Sequence, residues 1–124
     1  MLSEILKVRQ IPGEAQRRWF QDEGMDLFVW VGQDEPLIGF QLTYDKPHAE
    51  KAITWKHGVG FLHSRIDEGV RPGRHPASPL LVADGTFEPV RVLEEFRARA
   101  AEIDPTVREL VAARLGEYPS SLTP

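Results

Sequence analysis

The fold of this chain is decided by one stretch in its first half, Leu37-Ile-Gly-Phe-Gln-Leu-Thr-Tyr44. Its even-numbered positions are all apolar or aromatic, whereas its odd-numbered positions mix apolar, small and polar residues. This period of two residues is typical of a β-strand that buries one of its faces. Turn-forming sequences lie on both sides of the stretch, so we predict a strand over 37–44 with a short connection at each end.

Stretches of similar character precede and follow it, and short connections between them favour an antiparallel meander. The run Leu27–Val31 has no polar alternation, which is typical of a strand covered on both faces. Gly58-Val-Gly60 predicts a break or a bulge between two strands. The other predicted strands are Glu4–Ile11, Gln16–Gln21, Asp26–Val31, Glu50–His57, Phe61–Ile66 and Leu80–Ala83.

The hydrophobic period changes from two residues to three or four after residue 85. Pro89 suits the first turn of a helix, and Asp104-Pro105 forms a cap followed by the start of a second helix. We therefore predict helices over about 88–103 and 105–115, an irregular loop over 67–79 and a frayed tail over 117–124. The expected fold class is α+β, a single domain over 1–124. It is an antiparallel β-meander of five or six strands with two C-terminal helices packed on one face.

Composition excludes several classes of function. The 124 residues include no cysteine, which rules out a disulfide scaffold, a thiolate metal site and a cysteine nucleophile. The formal net charge of −4 is spread along the chain and disfavours nucleic-acid or anionic-membrane binding. The N-terminus has no apolar signal region, and no uncharged run approaches the roughly 18 residues of a membrane helix. We expect a cytoplasmic protein that needs no cofactor.

Two groups of residues are candidates for a binding site. His57 and His63 flank the glycine break and would face each other if that break is a hairpin, on the solvent side of the sheet. With Asp67 or Glu68 as a third ligand, the two histidines could form a metal site of two histidines and one carboxylate. The spacing of these residues matches no known metal-binding motif, so we predict no metal. In the Arg65–His75 loop, Arg65, Arg71, Arg74 and His75 beside two glycines provide the cations and backbone donors that a small anion requires.

The run Arg17-Arg-Trp-Phe20 combines cations with aromatic rings, as sheets that bind single-stranded nucleic acid do. Nearby acidic residues and the net charge argue against nucleic acid. Alternation instead places Arg17 and Trp19 on one face and Arg18 and Phe20 on the other, with the arginines paired to the acids that follow. No serine lies in a nucleophile elbow, and the carboxylates Asp22 and Asp26 lie in predicted solvated turns, so we assign no catalytic residue.

Aromatic residues on adjacent predicted strands are the most unusual content of the chain. On the face covered by the helices they are core residues, whereas on the opposite face they need a partner, and a second copy of the chain is the usual solution. The residues concerned are Trp30, Phe40, Tyr44, Trp55 and Phe61. We therefore expect a homodimer.

Four stretches together resemble a group of small bacterial proteins with no assigned activity: 17–30, Gly39-Phe-Gln-Leu-Thr-Tyr-Asp-Lys46, Ile53-Thr-Trp-Lys-His57 and Leu81-Val-Ala-Asp-Gly85. The resemblance implies a bacterial, cytoplasmic protein and assigns no site residue. The sequence thus predicts a non-enzymatic protein that acts through self-association or partner binding by its sheet. The alternative is a binding protein or enzyme for a small anionic ligand held by the Arg65–His75 loop.

Overall fold

The computed structural model describes residues 1–34, 36–46, 50–65, 82–83 and 87–118. These residues form an antiparallel sheet followed by two helices. The strands are β1 (Ser3–Ile5), β2 (Gln16–Gln21), β3 (Asp26–Val31), β4 (Gly39–Tyr44), β5 (Lys51–Lys56), β6 (Gly60–Arg65) and β7 (Val82–Ala83). The helices are α1 (Pro89–Arg99) and α2 (Pro105–Gly116).

The order of the strands in the sheet is their order in the chain, and every neighbouring pair is antiparallel. The predicted α+β meander is therefore confirmed. The described residues contain seven strands, one for each predicted stretch, and the last of them, the two residues of β7, pairs with β6 at the edge of the sheet. The predicted break at 58–60 is a hairpin turn in which Gly58 and Gly60 have positive φ angles of 78° and 109°.

The first strand is shorter than the sequence predicts, ending at Ile5 rather than at Ile11. Lys7 has a φ of 63°, a left-handed conformation that a straight strand does not contain. The chain returns to the edge of β2 through a side chain instead, because the Gln10 amide donates to the Arg17 carbonyl and accepts from the Arg17 N–H, both at 2.8 Å.

Helix α1 also ends earlier than predicted, at Arg99 rather than at residue 103. The backbone N–H of Leu2 donates to the carbonyl of Arg99 at 2.8 Å, so the N-terminal segment satisfies a carbonyl at the end of this helix. Helix α2 begins as predicted, with the Asp104 carboxylate accepting from the Thr106 N–H at 2.9 Å. The predicted loop over 67–79 and the end of the tail, 119–124, lie outside the described residues.

Both helices cover the same face of the sheet, which we call the helix face. Because side chains alternate along a strand, this face carries the even positions of β2 and β4 and the odd positions of β3 and β5. It forms one core with the inner sides of the helices: Phe20, Leu27, Val29, Phe40, Leu42, Tyr44, Ile53, Trp55, Val92, Phe96, Val107, Val111 and Leu115. The described helices include none that is long and apolar enough to cross a membrane.

Two arginines of α1 fix this helix to turns of the sheet. The Arg91 guanidinium contacts the Asp45 carboxylate at 3.1 and 3.2 Å, and the Arg99 guanidinium contacts the Asp22 carboxylate at 2.9 Å. The Asp22 side chain is only 2% exposed, so the predicted solvated position of this carboxylate is wrong. Arg18 pairs with Glu4 and Asp104 rather than with the acids that follow it, because it projects from the helix face toward the start of α2.

Candidate functional site

The sheet face opposite the helices, which we call the outer face, has an aromatic half on β2 and β3. The register places Trp19 opposite Phe28, and their rings stack at a centroid distance of 5.3 Å and an interplanar angle of 10°. Trp30 continues the stack, with its centroid 6.4 Å from that of Phe28. Trp19 and Trp30 are partly exposed, whereas Phe28 between them is buried. Trp30 alone of the aromatic residues expected to need a partner lies on this face.

A buried carboxylate holds the aromatic half in place. Asp26 is 5% exposed, and its Oδ1 accepts from the Trp19 indole Nε1–H at 3.1 Å. Its other oxygen, Oδ2, contacts the Lys46 ammonium at 2.6 Å. Both carboxylate oxygens therefore have a donor, as a buried charge requires, and the Trp19 ring has a fixed orientation.

Beside the aromatic half is a cavity of about 550 Å³. The N-terminal segment 5–9 forms one wall, and strands β2 and β3 form the other. This volume is in the range of sites for small ligands. The lining residues are Ile5, Lys7, Val8, Arg9, Arg17, Trp19, Gln21, Asp26 and Phe28.

Arg17 links the two walls of this cavity. Its guanidinium NH2 donates to the Arg9 carbonyl at 2.5 Å, so the segment that contains Arg9 is bound to β2. Its Nε is buried and has no hydrogen-bond partner within the described residues. The alternation predicted for 17–20 is confirmed, because Arg17 and Trp19 lie on the outer face and Arg18 and Phe20 on the helix face.

The outer face has a polar half on β4, β5 and β6. Gln41, Thr43, Thr54 and Ser64 are all buried there, at exposures of 3% or less. The hydroxyl oxygens of Thr43, Thr54 and Ser64 have no hydrogen-bond partner in the described part of the chain. An unpaired buried hydroxyl has an energetic cost, so these three hydroxyls, as they lie among the described residues, do not stabilise this half of the face.

The two candidate histidines do not face each other. His63 pairs with Ile53, and His57 lies four residues beyond Ile53, about 13 Å away along the strand direction. His57 is exposed in the hairpin turn, with its N–H bonded to the Ile38 carbonyl at 2.8 Å. The expectation that both lie on the solvent side is wrong for His63, which is 5% exposed on the helix face.

His63 belongs to an aromatic cluster at the edge of the core. The Tyr44 hydroxyl and His63 Nε2 form a hydrogen bond of 2.5 Å, and the Phe87 ring lies 5.0 Å from the His63 ring. Arg65 is two residues further along β6 and is exposed. The rest of the predicted anion site, Arg71, Arg74 and His75, lies outside the described residues. Among the described residues, no group of three or more His, Asp or Glu side chains could hold a metal.

The sequence pattern predicts that Arg17 and Trp19 share one face of the sheet, but it assigns neither to a binding site and does not reveal their neighbours in the cavity. Phe28 was assigned to a strand covered on both faces, although the alternation that places Trp19 outward also places its partner there. Lys7 and Arg9 were assigned to a first strand, and no periodic signal marks the positive φ of Lys7 that turns this segment toward the cavity. No family model matches the chain, and no curated protein or solved structure matches it, so functional inference depends on this geometry.

Proposed function

We propose that this is a non-enzymatic protein of the bacterial cytoplasm and that it acts by self-association through the aromatic half of its outer face. The observation that carries the proposal is the stack of Trp19, Phe28 and Trp30 on the face away from both helices. An aromatic cluster with two partly exposed tryptophans is typical of a protein interface. The cytoplasmic assignment is supported by the absence of cysteine and by the resemblance to small bacterial proteins.

The charges beside the stack favour a second copy of this chain as the partner. One end of the β2–β3 hairpin carries Arg17, which binds the Arg9 carbonyl, and the turn at the other end carries Glu23, whose side chain is 81% exposed and lies 3.5 Å from Arg99. In an isologous contact the same patch of both protomers forms the interface, and the two patches run in opposite directions. The cationic end of one protomer would therefore lie against the acidic end of its partner, while the aromatic stacks meet in the centre.

The experiment is size-exclusion chromatography with light scattering over a concentration series that reaches high micromolar. We expect a dimer for the natural protein and a monomer for Trp30→Thr, because Trp30 is at the accessible end of the stack. Val90→Thr is the control, since Val90 is a 70% exposed apolar residue on α1, away from the outer face. A natural protein that is monomeric throughout, or a Trp30→Thr variant that still dimerises equally well, would contradict the proposal.

The alternative proposal is a site for a small anion in the Arg65–His75 loop, whose residues beyond Arg65 lie outside the described part of the chain. Arg65 is exposed and has no carboxylate partner within the described residues. A thermal-shift screen with phosphates and carboxylates tests it, with Arg71→Ala and Arg74→Ala as the deciding variants. Stabilisation that both variants leave unchanged would exclude the loop as the binding site.

A further inference from the structure

The cavity beside the aromatic half is lined by several positively charged side chains, although the net charge of the protein is −4. Lys7, Arg9 and Arg17 all line it, and none of them has a carboxylate partner among the described residues. The one carboxylate in its wall, that of Asp26, already takes hydrogen bonds from Trp19 and Lys46. The cavity therefore has an excess of cations that no acidic group of the described chain neutralises.

Apart from Arg65, the other arginines of the described chain are paired with acids. Carboxylates within 4.0 Å are present for Arg18, Arg91, Arg97, Arg99, Arg108 and Arg114. Arg9 and Arg17 differ from these, and the buried Nε of Arg17 is a donor without an acceptor within the part of the chain that the structure describes. Guanidinium groups in such a position match the planar oxygens of a carboxylate or the oxygens of a phosphate.

Apart from Gln21 and Asp26, the remaining lining residues of the cavity are apolar or aromatic. Trp19 is partly exposed there, and its ring is fixed by the stack on Phe28 and by the hydrogen bond to Asp26. Ile5 and Val8 provide apolar surface on the opposite wall. A planar ring placed against Trp19 would extend an existing stack at little cost in side-chain entropy, because the indole is already immobile.

We propose that this cavity binds a small planar aromatic molecule that carries a carboxylate or a phosphate group. The ring stacks on Trp19, and the anionic group is held by Arg17, Arg9 and Lys7. The inference goes beyond self-association, because it concerns a small molecule and a cavity that Trp30 does not line. It also places anion binding at the N-terminal segment rather than in the Arg65–His75 loop.

The first test compares probes that contain both features with probes that contain one. Isothermal titration calorimetry would use adenosine 5′-monophosphate and indole-3-carboxylate as aromatic anions, with adenosine and inorganic phosphate as the two halves. We expect at least one aromatic anion to bind about tenfold more tightly than either half, since ring stacking and charge-assisted hydrogen bonds then act together. The two aromatic anions distinguish a phosphate-selective from a carboxylate-selective site. The proposal would be overturned if neither aromatic anion bound with higher affinity than adenosine and inorganic phosphate.

The second test places the binding site by substitution. Arg9→Gln and Lys7→Asn each remove a cation, and asparagine tolerates the positive φ of residue 7. We expect each substitution to lower the binding affinity for the aromatic anion about tenfold. Arg65→Gln is the matched control, because Arg65 is an exposed arginine that has no carboxylate partner among the described residues and does not line the cavity. The assignment would be overturned if Arg65→Gln lowered the affinity equally, or if Arg9→Gln did not lower it.

The proposal of a dimer and the proposal of a ligand site can be refuted independently of each other. Trp30→Thr is expected to abolish the dimer and to retain ligand binding, whereas Lys7→Asn removes a cavity cation that the proposed dimer contact does not use, so it is expected to lower the affinity for the ligand and to retain the dimer. The NMR signal of the Trp19 indole N–H reports the ligand directly, because that group is in the cavity wall. Ligand binding that disappears in Trp30→Thr while the fold is intact would contradict a site confined to this cavity.

Discussion

The indole N–H of Trp19 on β2 donates a hydrogen bond of 3.1 Å to the carboxylate of Asp26 on β3. These two residues join the candidate site to the interior, because Asp26 is buried and its second oxygen contacts the Lys46 ammonium at 2.6 Å. The orientation of the ring that faces the cavity thus depends on an ion pair between Asp26, in the cavity wall, and Lys46, which does not line the cavity. Fold stability and site geometry are coupled at this point.

Removing the cation of this pair should destabilise the protein. In Lys46→Met the Asp26 carboxylate would stay buried with the Trp19 N–H as its remaining side-chain donor, so we expect the free energy of unfolding to fall by about 3 kcal/mol. Urea denaturation measures this change. Lys56→Met is the matched control, because Lys56 is a partly buried lysine on the outer face without an ion pair in the described residues. A Lys46→Met variant as stable as Lys56→Met would show that the pair contributes little.

The attachment of α1 to the sheet should depend on pH. Burial alone would raise the pKa of Asp22, but hydrogen bonds from the Gly24 N–H, the Arg99 guanidinium and the Met25 N–H outweigh it and hold that pKa below its ordinary value of 3.8. Hydrogen bonds from Arg91 likewise lower the pKa of Asp45. A carboxylate with a lowered folded-state pKa stabilises the fold above its ordinary pKa. That contribution is lost as the pH falls through the lower, folded-state value.

We therefore expect the free energy of unfolding to decrease as the pH is lowered from about 5 to 2, and Asp22→Asn to reduce this dependence. Denaturant unfolding at a series of pH values measures both. Asp34→Asn provides the control, because Asp34 is exposed and has no ion pair within the described residues. The same acid dependence in Asp22→Asn as in the natural protein would contradict a role for the Asp22–Arg99 contact.

The strands of the meander could be predicted from the sequence because their periodicity directly reflects burial. Phe40, Leu42 and Tyr44 are buried on the helix face, as the alternation of 37–44 requires. The cavity could not be predicted in the same way. It depends on the positive φ of Lys7 and on the Gln10 side chain replacing a strand at the edge of β2, and neither has a periodic signature. The sequence also places His63 on the wrong face of the sheet. Its position on the helix face depends on the strand register, which is set by the hairpin turn.

The hydrogen bond between Tyr44 and His63 should stabilise the edge of the core. Tyr44 is 1% exposed and His63 5% exposed, so Tyr44→Phe would remove a buried hydroxyl and leave His63 Nε2 without it. We expect a loss of about 1–3 kcal/mol in the free energy of unfolding, measured by urea denaturation. Tyr118→Phe is the control, because the Tyr118 ring packs on Phe87 while its hydroxyl has no hydrogen bond in the described part of the chain. Equal stability of the two variants would mean that the bond contributes nothing.

The unpaired hydroxyls on the polar half of the outer face lead to the opposite expectation. Thr54 is 3% exposed, and its hydroxyl oxygen has no hydrogen-bond partner among the described residues. Valine has nearly the same shape and a stronger preference for strands, so Thr54→Val removes a desolvated polar group without creating a cavity. We expect the free energy of unfolding to rise by about 1 kcal/mol, measured by thermal and urea denaturation. Gln41→Leu on the neighbouring strand is the contrasting variant and should destabilise, because Gln41 does have a partner. Destabilisation by Thr54→Val would instead show that the hydroxyl is hydrogen-bonded in solution, and that this half of the face is stabilised by polar contacts.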